Sequence, residues 1–345
     1  MLASVGEKGG LEKNVIELAN RQAALGHRVS AVADETMRAH FDPAVAFLPH
    51  PMGGGRVNPL NLRKLRGRIL GALEGGDPGA ARIVHAHANK AGAMVRALRR
   101  ALPGVKRVAT VQNIKRSARP FRDFDAVITA SAQVRDSLGG IPATVIWNSI
   151  EPPPPGTREA ARATDPPFLG GDQPVFCTVG RLVPAKGMDL LLEAMARVPG
   201  FRLWLVGEGL QRPELEAIIG KHQLGPRVWL AGHREDAVGL MGCSDLFVVA
   251  SRNEGGPYTL AEALHMRVPC ISTKVGFAPE FLPESALMET HSVDELVRGL
   301  QLALEDLPGL REKLAPSFEL VANEVTLEAM TRKVLEVYSR VTEAG

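Results

Sequence analysis

Two glutamates stand eight positions apart in residues 247–276, in surroundings that suit them to hold a polar ligand. Residues 247–250 form a short apolar run typical of a strand buried in a parallel sheet. Glu254 follows in a loop, and Glu262 falls on a helix that Pro257 can start, because the missing N–H costs nothing there. Carboxylates beyond the carboxyl end of a strand can accept hydrogen bonds from ligand hydroxyls. The ordinary alternative is that Glu254 caps the helix and Glu262 is solvated.

Two cations follow a second predicted strand, residues 175–179, in the string GRLVPAKG. Arg181 and Lys186 lie there just before a predicted helix. Fixed cations in such a place can bind an anionic ligand beyond the carboxyl end of the strand. The alternative, surface cations at a helix start, is disfavoured because the helix dipole opposes positive charge at its N-terminus.

Length and composition indicate a globular chain of two domains. The 345 residues are too many for one ordinary core, and 45% of them are hydrophobic. The sequence has no apolar run of the roughly 20 residues that cross a bilayer, and no signal-peptide pattern at its start. Cys177, Cys243 and Cys270 are far apart with apolar neighbours, so we expect buried free thiols and a reducing, cytoplasmic setting.

Charge is divided unevenly along the chain. Residues 1–150 carry 22 Lys and Arg against 11 Asp and Glu, which leaves 19 against 27 in the remainder. A basic first half can hold a diphosphate, an acidic acceptor or an anionic membrane surface. The helix predicted over residues 59–73 adds four cations, enough for weak association with anionic lipid. With two Tyr and no basic-aromatic motif for stacking bases, nucleic acid ranks last.

Strands alternate with helices in the first half as well. His85 and His87 end one strand on the same side, but no further ligands for a metal site are evident. Asp123 and Asp125 imitate a metal-binding DxD, which we discount because the run around them is the ordinary start of a strand. No metal or cofactor site is predicted. Residues 152–172, rich in Pro, Gly and charge, mark a domain boundary.

The string EGGPYTLAEALHMRVPCISTKVG resembles the Glu-x7-Glu signature of retaining GT-B glycosyltransferases of the family-4 type. GRLVPAKG is the second strong match, and GEGLQRPELE is similar to a third family motif. Gly256, Arg267 and Phe277 depart from the family pattern around the sugar pocket. The resemblance implies an α/β fold of two doubly wound Rossmann-like domains facing across a cleft. The implied parts are an N-terminal acceptor-side domain, 1–152; a linker, 153–172; a nucleotide-sugar-binding domain, 173–322; and a last helix within 323–345 that crosses back to the first domain.

The same resemblance implies roles for individual residues. Arg181 and Lys186 would grip the donor diphosphate and, with Glu254, carry the catalysis. Glu254 would hold the donor sugar and Glu262 the ribose. The full donor-binding set is Gly9, Gly10, Arg181, Lys186, Gly207, His233, Glu254, Gly255, Gly256, Pro257, Tyr258, Thr259 and Glu262. The acceptor-side set is His87, Gln112, Asn113, Lys115 and Arg116, where Gln112 replaces a family histidine and cannot act as a general base near neutral pH.

The implied activity is metal-independent, retaining transfer of a hexose from a nucleotide diphosphate sugar, with a UDP-sugar as the expected co-substrate and no cofactor. The acceptor would be a saccharide or a lipid-linked molecule of cell-envelope polysaccharide or glycolipid synthesis. We expect a cytoplasmic protein, with peripheral contact to the inner face of an anionic membrane left open. Two alternatives remain: a nucleotide-sugar epimerase or hydrolase of the same architecture, and a non-catalytic nucleotide-sugar-binding protein.

Overall fold

The computed structural model describes residues 1, 10–52, 58–74, 79–289 and 291–343. The chain forms two compact units. Unit 1 contains Met1–Ser149 together with Leu327–Gly345, and unit 2 contains Ile150–Thr326. The predicted boundaries at 152 and 322 lie within a few residues of these limits. The sequence also predicts the end of a first strand at residues 2–5 and a loop at residues 53–55. Both segments, and Gly9 of the predicted donor set, lie outside the described residues.

The described part of the chain contains twelve strands. They are β1 Ser30–Ala33, β2 Ala46–Pro49, β3 Ile83–His87, β4 Lys106–Val111, β5 Ala126–Thr129, β6 Thr144–Val145, β7 Val175–Val179, β8 Arg202–Val206, β9 Val228–Gly232, β10 Leu246–Val249, β11 Cys270–Thr273 and β12 Leu287–Met288. The pairings between these strands are parallel.

The same residues contain fourteen α-helices. They are α1 Gly10–Ala24, α2 Pro59–Leu73, α3 Ala88–Ala97, α4 Ala132–Asp136, α5 Thr157–Arg162, α6 Met188–Arg197, α7 Arg212–Lys221, α8 Ala237–Cys243, α9 Tyr258–His265, α10 Ala278–Phe281, α11 Val293–Glu305, α12 Leu307–Lys313, α13 Ala315–Glu324 and α14 Leu327–Glu343. Among these described helices, none has the length and apolarity needed to cross a bilayer.

Unit 1 holds two groups of parallel strands. β3, β4, β5 and β6 are neighbours in chain order, and β1 pairs with β2. Helix α14, from the end of the chain, covers this sheet, because its apolar residues share one core cluster with Val108 and Ile128. The helical spacing of Leu327, Met330 and Val334 predicts an apolar face on this helix, and all three residues are buried.

Unit 2 is a six-stranded sheet in the order β9-β8-β7-β10-β11-β12. Its strands read as continuous apolar runs because helices cover both faces, and β8 and β10 are buried almost throughout. From β7 the chain winds outward through β8 and β9, and then returns to place β10 on the other side of β7. Parallel sheets with this order bind ligands beyond the carboxyl ends of the two strands where the winding reverses.

Two segments differ from the sequence-based expectation. The sequence of residues 34–59 predicts an irregular segment, but the segment contains β2, whose four residues are too few to show a period and end in a proline. The predicted linker, 153–172, contains helix α5, which packs against α8 inside unit 2. The composition of the linker is rich in Pro and Gly, but a buried face around Ala161 is enough to anchor this short helix.

The contact between α5 and α8 depends on a glycine. A Cβ placed on Gly239 would lie 2.5 Å from the carbonyl oxygen of Thr157 and 2.6 Å from the Cβ of Ala161. Real Cβ atoms do not approach other atoms so closely, so the two helices can touch only because residue 239 has no side chain.

We therefore expect Gly239→Ala to lower the free energy of unfolding by about 1–3 kcal/mol, since overpacking must push α5 away. Gly220→Ala is the matched control, because Gly220 also lies in a helix but a Cβ there would meet nothing within 4 Å. That control should be neutral or stabilising by up to about 1 kcal/mol. Urea denaturation of both variants measures the effects, and an unchanged midpoint for Gly239→Ala would contradict the packing described.

Candidate functional site

The candidate donor site in unit 2 begins at the carboxyl ends of β7 and β10. These strands are direct neighbours, with Leu246 opposite Phe176 in register. The loop after β7 carries Arg181 and Lys186, and the loop after β10 carries Glu254. The parallel register therefore brings together side chains that are about 70 positions apart in the sequence.

Lys186 and Glu254 form an ion pair between the Lys Nζ and Oε1 of the glutamate. Their side chains are 22% and 16% exposed, so the pair is largely screened from solvent but reachable. The hydroxyl of Ser251 donates to the same carboxylate oxygen at 3.1 Å. Ser251 is held in turn, because Thr273 Oγ1 donates to its carbonyl at 2.7 Å. The carboxylate of Glu254 is thus oriented from two sides.

Two glycines, Gly180 and Gly187, lie next to Lys186 in this loop. The amine-bearing end of its side chain lies over Gly180, since a Cβ there would stand 3.2 Å from Lys186 Cε. Gly187 has φ +66°, and a Cβ on it would overlap the carbonyl oxygen of Ala250 at the end of β10. Gly187 needs to be glycine both for this close approach and for its left-handed backbone, whereas Gly180 leaves room for the Lys186 side chain to lie close to it. Arg181 is exposed on the same loop.

A second, bidentate ion pair joins the same two loops. The guanidinium of Arg252 donates to the two carboxylate oxygens of Asp189 at 2.7 and 2.5 Å, and also to the carbonyl of Pro184 at 2.7 Å. Burial opposes ionisation of Asp189, but the Arg252 guanidinium and the backbone N–H groups of α6 outweigh it, so the pKa of Asp189 is below its usual value. The sequence analysis missed this pair; an Arg in the loop beside an Asp in the first turn of a helix was the available signal.

Glu262 lies on α9, one turn inside the helix that begins at Tyr258, and its side chain is half-buried. Tyr258 and Thr259 occupy the first turn of α9. The loop before it, Gly255-Gly256-Pro257, is compact because the turn after β11 presses against it: a Cβ on Gly276 would lie 3.0 Å from the backbone of both glycines. The predicted donor residues of this motif therefore form one continuous edge with Glu254.

The loops after β8 and β9 complete this edge of the sheet. Gly207 has φ +142°, and a Cβ there would overlap the carbonyl oxygen of Gly180, so the loops after β7 and β8 are in direct backbone contact. The Gly207 N–H donates to the Gly232 carbonyl at 2.8 Å, next to His233. His233 is exposed. Its contact with a nucleotide base stays a prediction.

The predicted acceptor residues lie in unit 1, at the carboxyl ends of its strands. His87 is 0% exposed and stacks on His85 with ring centroids 4.2 Å apart, so the two histidines do share a side of β3. Burial lowers the pKa of His87 to about 3, which keeps it neutral. The His85 ring forms two hydrogen bonds, from Nδ1 to Tyr338 Oη at 2.6 Å and from Nε2 to Thr110 Oγ1 at 2.7 Å. His85 thus belongs to a buried network that includes Tyr338 of α14, whereas neither ring nitrogen of His87 has a hydrogen-bond partner among the described residues.

The other acceptor-side residues differ in exposure. Gln112 is buried, Lys115 is half-buried, and Asn113 and Arg116 are exposed. Burial lowers the pKa of Lys115 from its usual value. Gly10, from the donor set, is the first described residue of α1, while Gly9 lies outside the described residues. The roles of these residues toward an acceptor or a donor stay predictions.

The two carboxylates of the DxD-like sequence at residues 123–125 form ion pairs with arginines. Arg96 pairs with Asp123 at 3.1 Å. The Asp125 carboxylate accepts from the backbone N–H of Arg107 at 2.7 Å and from its Nε at 3.2 Å. Both carboxylates therefore serve the local structure of unit 1. Within the described ranges, no cluster of three His, Cys, Asp or Glu side chains suited to a metal ion occurs.

Comparison with known proteins relates both units to one enzyme family. The family model for glycosyl transferases group 1 matches residues 162–317, and the model for glycosyltransferase family 4 matches residues 8–152. A lipopolysaccharide core biosynthesis glycosyltransferase, LpsE of Rhizobium meliloti, is 30% identical over 170 residues, which are 48% of this chain and 50% of that protein. One component of human phosphatidylinositol N-acetylglucosaminyltransferase is 30% identical over 61% of this chain and 43% of its own length. The chain spans about half the length of these curated relatives.

Solved structures match the fold over a longer stretch. A glycosyltransferase from Rickettsia africae superposes with a TM-score of 0.81 and 20% identity, covering 100% of this chain and 98% of the other. Anabaena HepE in complex with UDP gives a TM-score of 0.81 and 20% identity, with 98% of each chain covered. Since the two family models together take in most of the sequence and these structures share its fold, the chain belongs to the family 4 and group 1 glycosyltransferases, which have the GT-B fold.

Proposed function

We propose that the protein is a retaining glycosyltransferase that transfers a hexose from a UDP-sugar to a saccharide or lipid-linked acceptor in cell-envelope polysaccharide or glycolipid synthesis. The observation that carries the proposal is the Lys186–Glu254 pair at the winding reversal of unit 2. It supplies a cation for phosphate and a carboxylate for hydroxyls, which are the two kinds of group that a nucleotide sugar presents.

Each residue has a chemical task in this proposal. Lys186 and Arg181 bind the diphosphate and stabilise the charge that it gains when the bond to the sugar breaks. Glu254 accepts hydrogen bonds from the donor sugar, and Glu262 accepts them from the ribose hydroxyls. Before the donor binds, Glu254 neutralises Lys186, so the amine is already in place for the phosphate oxygens. The two cations perform the work that a metal ion performs in other transferases, so we propose that no metal is needed.

We propose a front-face mechanism for the retaining step, which is the choice that the family resemblance implies. The acceptor oxygen would bond to the anomeric carbon on the face from which the diphosphate departs, and a phosphate oxygen would take the acceptor proton as the carbon–oxygen bond to phosphate breaks. Glu254, whose Oε1 is held by Lys186 and Ser251, is assigned to the hydroxyls of the donor sugar and is not proposed as a nucleophile. The sugar configuration at the anomeric carbon is then kept without a covalent intermediate on the protein.

The relatives support the choice of donor and acceptor. Anabaena HepE has been solved with UDP and glucose and with UDP-glucose. Curated relatives include the lipopolysaccharide core enzyme, the phosphatidylinositol N-acetylglucosaminyltransferase and a D-inositol 3-phosphate glycosyltransferase of Mycolicibacterium smegmatis. These acceptors are saccharides, inositol phosphates or lipids, which favours an acceptor of the same kind here.

The main test is turnover of a UDP-hexose with a panel of saccharide and glycolipid acceptors. Lys186→Ala should lower kcat about a hundredfold, since one charge-stabilising group is worth on the order of 3 kcal/mol. Lys221→Ala is the matched control and should keep normal activity, because Lys221 pairs with Glu193 on the surface. Proton NMR of the fresh product should show the donor's anomeric configuration. Equal activity in both variants would contradict the role of Lys186 in the site. A product with the inverted anomeric configuration would contradict the retaining mechanism.

The alternatives predict different products. An epimerase or hydrolase would consume donor efficiently without acceptor, whereas the proposed transferase would not. A non-catalytic binding protein would bind donor and turn nothing over with any acceptor. A thermal-shift panel of UDP-, GDP- and ADP-sugars identifies the base, because a ligand at 100 times its Kd adds about 2.7 kcal/mol to stability. We expect the largest shift with UDP-sugars; a larger shift with GDP- or ADP-sugars would overturn the choice of uridine.

A lipid-linked acceptor would bring the protein to a membrane, and α2 of unit 1 offers a surface for it. Arg63, Lys64 and Arg66 are exposed on this helix, and Leu60 at its start is 72% exposed. We expect co-sedimentation with phosphatidylglycerol vesicles that weakens in about 0.5 M salt and in an Arg63→Glu/Lys64→Glu variant, since each cation near an anionic surface contributes about 1 kcal/mol. Binding that is equal with neutral phosphatidylcholine vesicles would contradict this role of α2.

A further inference from the structure

Arg252 connects three points on the segment that carries Lys186. Its guanidinium reaches the Pro184 carbonyl before Lys186 and the Asp189 carboxylate after it. Its backbone N–H donates to the carbonyl of Ala185 at 2.8 Å. The residues on either side of Lys186 are thus fastened to the loop after β10, two positions from Glu254.

This attachment is specific in its geometry. A bidentate guanidinium–carboxylate pair fixes the relative orientation of two planar groups, which a lysine or a single hydrogen bond would not do. The pair is only partly exposed, 32% for Arg252 and 18% for Asp189. Asp189 also lies in the first turn of α6, so the pair ties the start of that helix to the loop that carries Arg252.

We propose that Arg252 and Asp189 are positioning residues that hold Lys186 beside Glu254 for the donor diphosphate. The diphosphate role of Lys186 rests on the proposed function; the positioning itself does not. Lys186 has a long side chain with many rotamers, and the segment before it is a single turn of 3-10 helix, Pro184–Lys186. Without the Arg252–Asp189 pair, the Lys186 amine would sample positions away from Glu254 and would contact the donor phosphate less often.

The first experiment needs no nucleotide. The rate of Lys186 acylation by acetic anhydride, measured by peptide mass spectrometry, should rise several-fold in Arg252→Ala and in Asp189→Asn, because the amine leaves its carboxylate. Arg197→Ala is the matched control: Arg197 lies on the same helix α6 and pairs with Asp294 at 2.6 Å on the surface. Its Lys186 rate should equal that of the wild type. Circular dichroism tests whether each variant is folded. If Arg252→Ala does not fold, Asp189→Asn, which is the smaller change, tests the proposal alone.

A second experiment tests whether Arg252 acts through Lys186. In the wild-type background, Arg252→Ala should weaken UDP binding about tenfold by calorimetry, or about 1.4 kcal/mol. In a Lys186→Ala background, the same change should have almost no further effect, since the group that it positions is gone. Arg252→Lys should restore little, because lysine cannot make the bidentate pair.

The outcomes separate the two proposals. An unchanged acylation rate in Arg252→Ala and Asp189→Asn would overturn the positioning role, whether or not the protein binds UDP. Equal losses of UDP affinity in both backgrounds would overturn it as well, because they would indicate an independent structural effect. If the wild type binds no nucleotide but the acylation rates rise as expected, the positioning stands and the proposed function fails.

Discussion

The adjacency of β7 and β10 is the constraint on which the site depends. In a parallel sheet whose winding reverses between two neighbouring strands, the loops that follow them leave in opposite directions and open a space above the sheet edge. Here that space is bordered by Lys186 on one loop and Glu254 on the other. A basic and an acidic side chain, far apart in sequence, become partners because the register of two strands places them opposite each other.

Close backbone contacts keep this edge in shape. Gly187 lies against the end of β10, Gly207 against the loop after β7, and Gly276 against the loop before α9. Each contact excludes any side chain, and each of these three residues has a positive φ. The loops around the site can therefore pack closely because these positions have no Cβ atom. The Arg252–Asp189 pair adds an ion pair of fixed geometry that joins the loop after β10 to the start of α6. Strong packing and a bidentate ion pair act on the same few residues.

Sequence reasoning predicted most of this architecture. The apolar runs of β7 and β10 were identified because strands covered on both faces are apolar throughout, and α2 was predicted with its observed bounds, Pro59–Leu73. The ion pair of Lys186 with Glu254 was not predicted, since pairing across loops depends on strand order, which periodicity does not give. β2 and α5 were missed because they are short: four and six residues show too little periodicity, and elements of this length are stabilised by their neighbours rather than by their own pattern.

The site in unit 1 was harder to predict for a physical reason. His87 was expected to face a ligand, and that role stays a prediction. The structure buries its ring against His85, which hydrogen-bonds to Thr110 and to Tyr338 from the opposite end of the chain. Sequence spacing shows that two histidines share a side of a strand. It does not show what covers them, because that depends on contacts more than 200 positions away.

The position of α14 also has a consequence for biosynthesis. The helix contributes Met330, Val334 and Val337 to the core of unit 1, although the whole of unit 2 is translated before it. During synthesis, unit 2 is continuous and has all its strands once Thr326 has left the ribosome. Unit 1 cannot complete its core until α14 has been synthesised, so part of its apolar surface stays uncovered until then. Of the two units, the one made first is thus the one completed last, and its nascent form is the stage at which chaperones would have most to protect.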